Sequence, residues 1–448
     1  MKMPIQDRRK FLASTGAAMA ALVASGCSVR APGGIVAPQR TGYGALVDDP
    51  AGFIDLPEGF SYRVLSRMGE AMDDGFTVPD AADGMGCFDL GGGKLALVRN
   101  HECIPGYHDG GGVMGKAFDY IEQTDVPLPG GTTTIVLDAG TLAVEKQYRS
   151  LAGTIRNCAG GTTPWGSWLT CEEYVSNEKD RASNKIRQDH GWVFEVPAAA
   201  TGLVDPVPLK AMGRFNHEAA CVDPRTGLIY LTEDREDSLL YRFVPNSGKR
   251  LAEGGQLQAM RIVGLDDTRN WDSSSMPRDR RYAVEWVVMD DVEAPADDLR
   301  QRGAALGCAR IARGEGIWMG EGELYFAATS GGAAKLGQIF RLEPAFDGSR
   351  ETISLFYEST EPEQFNYGDN LTIAPDGQLV VCEDQYSDTV DNYLRGITRD
   401  GQAYPLARLR RQTEWAGACF SPDGKVLFVN AYSPTATLAI TGPWQHLV

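Results

Sequence analysis

Pro375-Asp376-Gly377-Gln378-Leu379-Val380-Val381-Cys382-Glu383-Asp384 joins a tight turn to an apolar, β-forming run and ends that run in two acids. An Asp-Gly turn beside such a run is a hairpin signal, because glycine accepts the positive φ that these turns need. The same grammar recurs in Pro422-Asp423-Gly424-Lys425-Val426-Leu427-Phe428-Val429, Gly227-Leu228-Ile229-Tyr230-Leu231 and Gly322-Glu323-Leu324-Tyr325-Phe326. The last two runs are each answered by a second, Leu240-Tyr241-Arg242-Phe243-Val244 and Gln338-Ile339-Phe340-Arg341-Leu342. Run endings fall roughly 45 to 95 residues apart, the spacing of repeated β units that carry insertions. Long helical periodicity is scarce. The pattern predicts an all-β chain folded as a β-propeller of about six blades, with an array of β-sandwiches as the weaker alternative. Insertions are expected at Glu122–Pro129 and Leu265–Arg281.

Acids terminate most of these runs. Asn100-His101-Glu102, Cys171-Glu172-Glu173, Asn216-His217-Glu218, Glu233-Asp234 and Cys382-Glu383-Asp384 lie far apart in sequence. They share a location if the strands converge on one axis. Carboxylates gathered there repel one another unless cations sit among them. Calcium takes six to eight oxygen ligands, so the acids suffice for more than one ion. In each Asn-His-Glu triplet, strand alternation sends the two side chains to opposite faces, and the glutamate is the expected ligand. Cys158, in the glycine-rich stretch Arg156-Asn157-Cys158-Ala159-Gly160-Gly161, adds a soft thiolate that suits a transition metal such as iron. Arg313-Gly314-Glu315 places a cation two residues from a carboxylate, on one face of an extended segment. No nucleophile elbow, P-loop or His-Glu-x-x-His occurs.

The chain has 448 residues and a net charge of −17, which offers no basic face to nucleic acid and fits a carrier of bound cations. Residues 1–27 read as a targeting signal: Arg8-Arg9-Lys10-Phe11-Leu12 is a twin-arginine signature, followed by a short stretch rich in Ala and Gly. Ala24-Ser25-Gly26-Cys27 resembles a lipoprotein cleavage box with an imperfect first position, which makes Cys27 a candidate lipid anchor. Residues 28–50 read as a lead-in and 51–448 as one propeller domain. The eight cysteines beyond Cys27 are an even number, which allows disulfides, but they form no CxxC pair and are expected to be mostly reduced and buried, with one or two as metal ligands.

Several of these stretches resemble the PhoX-type alkaline phosphatases. Arg99-Asn100-His101-Glu102, Asn157-Cys158-Ala159-Gly160-Gly161 with Thr163-Pro164-Trp165-Gly166, and Cys171-Glu172-Glu173 carry the likeness. So do Arg313-Gly314-Glu315-Gly316, Gly368-Asp369-Asn370-Leu371 and Cys419-Phe420-Ser421-Pro422-Asp423-Gly424. It runs from about Gly44 to the C-terminus. It departs at Phe428-Val429-Asn430-Ala431-Tyr432, where the family tends to read Phe-Val-Asn-Ile-Gln. The resemblance implies a six-bladed propeller that hydrolyses phosphate esters at Ca2+ and Fe3+ ions, at one end of its central channel. By motif it nominates Glu102, Cys158, Glu172, Glu173, Glu218, Glu315, Asp369 and Glu383 as metal ligands; Glu233 joins them on its strand-end position alone. Cys158 is the first choice for iron and Cys171 the second. Arg313, then Arg99 and Arg156, are the arginines expected to clamp phosphate oxygens. The expected partners are a small phosphorylated substrate and the twin-arginine export machinery, for a monomer that works in the periplasm or at the cell surface. A calcium propeller hydrolase of another class, lactonase-like, or a non-catalytic calcium-stabilised propeller would need no thiolate.

Overall fold

The computed structural model describes residues 42–445, apart from 113–114, 123, 177–185, 346–348, 386 and 388. The twin-arginine pair, Cys27 and most of the lead-in therefore lie outside the described residues. Among those described, no helix is long and apolar enough to cross a membrane.

The strands fall into five antiparallel sheets that make six radial blades. Their inner strands are Ala82–Gly91, Asn157–Thr162, His217–Val222, Gly314–Met319, Gly368–Ile373 and Trp415–Phe420. Each packs against the next and the last against the first, so the ring closes around a central channel. Blades 3 and 4 are one sheet, because Tyr282–Val288, the outermost strand of blade 3, also pairs with Thr352–Glu358 of blade 4. Both anticipated hairpins are present, with Ile229 opposite Phe243 and Leu324 opposite Leu342. Leu265–Arg281 is an insertion between two strands of blade 3, and Glu122–Pro129 lies between the second and third strands of blade 1.

Blade faces press against neighbouring blades, so the runs are buried on both sides rather than alternating. Leu379–Glu383 is buried at every position. Between blades 6 and 1, Val426, Phe428 and Ala439 meet Leu95, Leu97, Ile135 and Leu137. Removing a side chain of that size from water contributes about 1.5–3 kcal/mol. The ring is latched by strand exchange: Ser61–Arg67, from the N-terminal end of the propeller, is the outer strand of blade 6 beside Ala436–Thr441. Leu46–Val47 and Ile54–Pro57 extend blade 5, and Tyr43 packs on Trp444, so residues 42–50 are built into the fold.

A buried thiol and carboxylate cluster at one channel mouth

Each inner strand carries a β-bulge at its N-terminal end, between Ala82 and Met85, Asn157 and Gly160, His217 and Ala220, Gly314 and Ile317, Gly368 and Leu371, and Ala416 and Cys419. A bulge breaks the alternation of a strand and re-aims one side chain. The residue it frees is Asp83, Cys158, Glu218, Glu315, Asp369 and, in blade 6, Gly417. A glycine or alanine follows five of these six positions, Asn370 being the exception, because the inner strands nearly touch. A Cβ on Gly84 would stand 2.6 Å from Ala159 Cα, and one on Gly316 would stand 2.7 Å from Asn370 Cα.

A second tier comes from the ends of the neighbouring strands. Glu102 and Glu173 follow Lys94–His101 and Ser167–Glu172; Asp234 and Asp384 follow Ile229–Glu233 and Leu379–Glu383. The two tiers make three contiguous trios: Asp83, Glu102 and Cys158; Cys158, Glu173 and Glu218; Glu218, Glu315 and Asp369. Within each trio one ligating atom per residue lies within 4.8 Å of the others. Cys158 and Glu218 are shared, so the trios form an arc from blade 1 to blade 5.

The arc is buried and short of donors. Burial, then mutual repulsion, pushes the carboxyls of Asp83 and Glu218 well above the usual carboxylate range. Glu173, Glu315 and Asp369 rise as well, chiefly by burial, while Arg156 opposes the rise at Glu173 and Arg313 opposes it at Glu315 and Asp369. Burial likewise raises the Cys158 thiol, whose Sγ donates to Asp83 Oδ2 at 3.5 Å. Both oxygens of Glu218 and Oδ1 of Asp83 are enclosed with no hydrogen-bond partner. Uncompensated buried carboxylates cost several kcal/mol, and cation ligation satisfies them in their ionised form. The residues present therefore fit a group of metal ions.

Two arginines hold the rim. Arg156 meets Glu102 through Nε at 2.7 Å and Glu173 through Nη2 at 2.8 Å. Arg313 forks onto Asp234 at 2.7 and 2.9 Å and reaches Glu315 at 3.1 Å. Their side chains remain 32% and 30% exposed, so each guanidinium joins the buried acids to solvent. Both occupy the same station, two residues before a bulge, in left-handed backbone with φ of 49° and 55°. Ala81 and Tyr367 repeat that conformation at the matching places in blades 1 and 5. Non-glycine residues there store about 1–3 kcal/mol of strain each, which the surrounding sheet must hold.

The geometry separates five expected residues from the cluster. Glu172, Glu233 and Glu383 precede Glu173, Asp234 and Asp384, and alternation turns them to the opposite face. Glu172 accepts from the amides of Ile155, Gly191 and Trp192 and pairs with His190 at 2.7 Å. Glu233 accepts from the Tyr241 hydroxyl at 3.1 Å with Arg300 at 3.6 Å, and burial pushes its carboxyl up to about 8. Glu383 accepts from Arg395 and the amides of Asn366 and Tyr393. Cys171 packs in an apolar cluster with Leu169, Val193 and Phe215. Arg99 is fully buried and donates to Thr133, Ser66 and Thr437, away from the channel. These acids and Arg99 brace the blades.

The two histidines of the Asn-His-Glu triplets also face away from the trios. His101 bonds Asp80 O and Thr133, and His217 donates to Gly213 O while stacking on Phe215 at 3.6 Å. Asp83 is not among the sequence-nominated acids because it lies at the start of an inner strand, within Ala82–Gly91, instead of at the end of an apolar run. Its signal is Asp83-Gly84, a parallel to Glu315-Gly316. Asp384, one of the strand-end acids quoted above but not among the nominated ligands, is hydrogen-bonded to Glu414, an acid that no sequence motif points to.

The model of one protein family, alkaline phosphatase PhoX, matches residues 41–138 and 123–435. The chain belongs to the alkaline phosphatase PhoX family. It is thereby a metal-dependent phosphoric monoester hydrolase. Among solved structures, PhoX of Pseudomonas fluorescens in complex with vanadate, a transition state analogue, is similar with a TM-score of 0.68 and 20% identity, covering 89% of this chain and 97% of that one. At that identity the likeness shows the propeller fold. A gluconolactonase of Xanthomonas campestris aligns over 90% of this chain and 98% of its own, but with a TM-score of 0.37 and 14% identity. No curated protein matches. The eight described cysteines of this PhoX-family chain are all free thiols, and only Cys87 is not buried.

Proposed function

We propose that this chain is an exported phosphatase that hydrolyses phosphate monoesters at a calcium and iron(III) centre held by the thiol and carboxylate arc. The observation that carries the reading is the fully buried Glu218, shared by two trios, with neither oxygen satisfied by the protein. The thiolate of Cys158 suits iron, and the all-carboxylate trio of Glu218, Glu315 and Asp369 suits calcium. Bound there, such cations supply charge neutralisation and Lewis acidity for phosphoryl transfer. Arg156 and Arg313 stand on blades 2 and 4 at the mouth, either side of blade 3, and their partly exposed guanidinium groups can meet the non-bridging oxygens of a phosphate. Glu102, Glu173, Asp234 and Glu315 fix the two guanidinium planes in advance, so orientation costs little when substrate arrives. Tyr432, hydrogen-bonded to Glu102, closes the blade 6 side of the arc.

We place the mature protein in the periplasm or at the cell surface, delivered by the twin-arginine route and working as a monomer, with Cys27 as its lipid anchor if the signal is cleaved there. Free thiols throughout the described propeller support folding in a reducing compartment before export. Elemental analysis of the exported protein, together with turnover of a chromogenic phosphate monoester, tests the reading. Iron with calcium and phosphatase turnover is the expected result. Calcium without iron, and no turnover, would favour a calcium hydrolase of another class.

A further inference from the structure

Blades 2, 3 and 4 each present a guanidinium at the mouth, but the three are not equivalent. In blade 3 the station held elsewhere by Arg156 and Arg313 belongs to Asn216, whose side chain carries Arg235. Arg235 Nη2 donates to Asn216 Oδ1 at 2.8 Å, and Asn216 Nδ2 in turn lies 3.5 Å from Glu173 Oε1. The amide of Arg313 donates to the Arg235 carbonyl at 2.9 Å, which ties Arg235 to the same rim. Arg156 and Arg313 each have carboxylates at 2.7 to 3.1 Å. Arg235 has none so near. Its closest carboxylate oxygen among the described residues is Asp297 Oδ2 at 3.8 Å, and Asp297 is engaged by Arg300 at 3.0 Å. The Arg235 side chain is 36% exposed. A cation held by a neutral amide, beside two cations already neutralised, keeps its charge for a ligand.

We infer that Arg235 is a specificity residue that binds a second anionic group on the leaving group of the substrate. The favoured substrates are then phosphate monoesters whose alcohol also bears a carboxylate or another phosphate. The inference rests on the phosphatase reading above. With the transferred phosphate between Arg156 and Arg313, a leaving group directed toward blade 3 passes Arg235. A charge-assisted hydrogen bond there is worth about tenfold or more in binding.

The test uses the metal-loaded protein and two matched esters, 3-carboxyphenyl phosphate and its neutral isostere 3-carbamoylphenyl phosphate. The wild-type protein is expected to favour the carboxylate by about tenfold in kcat/KM, mainly through KM. In Arg235→Gln that ratio should approach one, and Arg235→Lys should restore part of it. Because the ratio is internal to each variant, any loss of folded or metal-loaded protein cancels. A wild-type ratio near one, or an unchanged ratio in Arg235→Gln, would overturn the inference alone. Hydrolysis of neither ester by the wild-type protein would overturn the phosphatase reading and this inference with it.

Discussion

Cys158 sits where two of the three trios meet, so one sulfur serves two positions of the arc. Cys158→Ser keeps the volume but replaces a thiolate with a hydroxyl that ligates poorly at neutral pH. It should remove most bound iron and phosphomonoesterase activity while leaving the circular dichroism of the propeller intact. Cys171→Ser, in its apolar cluster, should keep both; iron loss from Cys171→Ser instead would reverse the assignment. Next to it, Glu172 belongs to a different device. His190 lies fully buried between Glu172 at 2.7 Å and Asp119 at 3.2 Å, and although burial opposes it, the two carboxylates hold the imidazole up to about 9 from an ordinary 6.5. A raised value means the folded state binds the proton more tightly. The contribution is fully present below pH 6.5 and is lost as pH climbs through 9. Thermal melts across that window should show falling stability, on the order of 1–3 kcal/mol in total, and His190→Gln should flatten the slope. A slope unchanged in His190→Gln would assign it elsewhere.

At the scale of the element, the bulge explains what the sequence disclosed and what it concealed. Asp-Gly turns, apolar runs and terminal acids were readable because they depend on local propensity and on a period of two. That period also says that only one of Glu172 and Glu173, or of Glu383 and Asp384, can face the channel. It does not say which, since the choice depends on how the whole blade is turned about its strand axis. The inner-strand ligands were harder. Asp83, Cys158 and Glu315 reach the mouth only because a bulge interrupts alternation, and a bulge leaves little trace beyond the small residues after it. Those small residues are testable. Gly316→Ala would press a methyl to within 2.7 Å of Asn370 Cα on the next inner strand. Forcing the strands apart should cost about 1–3 kcal/mol of stability and lower the cation content, read by melting and elemental analysis. Unchanged metal content with a lower melting temperature would separate packing from ligation.

The whole molecule carries a net charge of −17 and gathers part of its acidity at one mouth of a closed ring. Ligation of N but not of the unfolded chain stabilises by mass action. Chelation, with metal loss confirmed, should therefore lower the melting temperature, and calcium should restore it; an unchanged temperature would sink the premise that repulsion among these acids is offset by cations. The latch of blade 6 has a consequence of another kind. Ser61–Arg67 is among the first of the propeller's strands to be synthesised, and its partner Ala436–Thr441 is the last. During translation the early strand keeps an unpaired edge until residues 436–441 have emerged, whatever the other blades have achieved. A chain cut short anywhere before residue 436 has no partner for it and cannot shut the ring. Emergence of the propeller's last strand and closure of the ring are thus the same event, and a product terminated before that strand carries an open edge as the mark of its incompleteness.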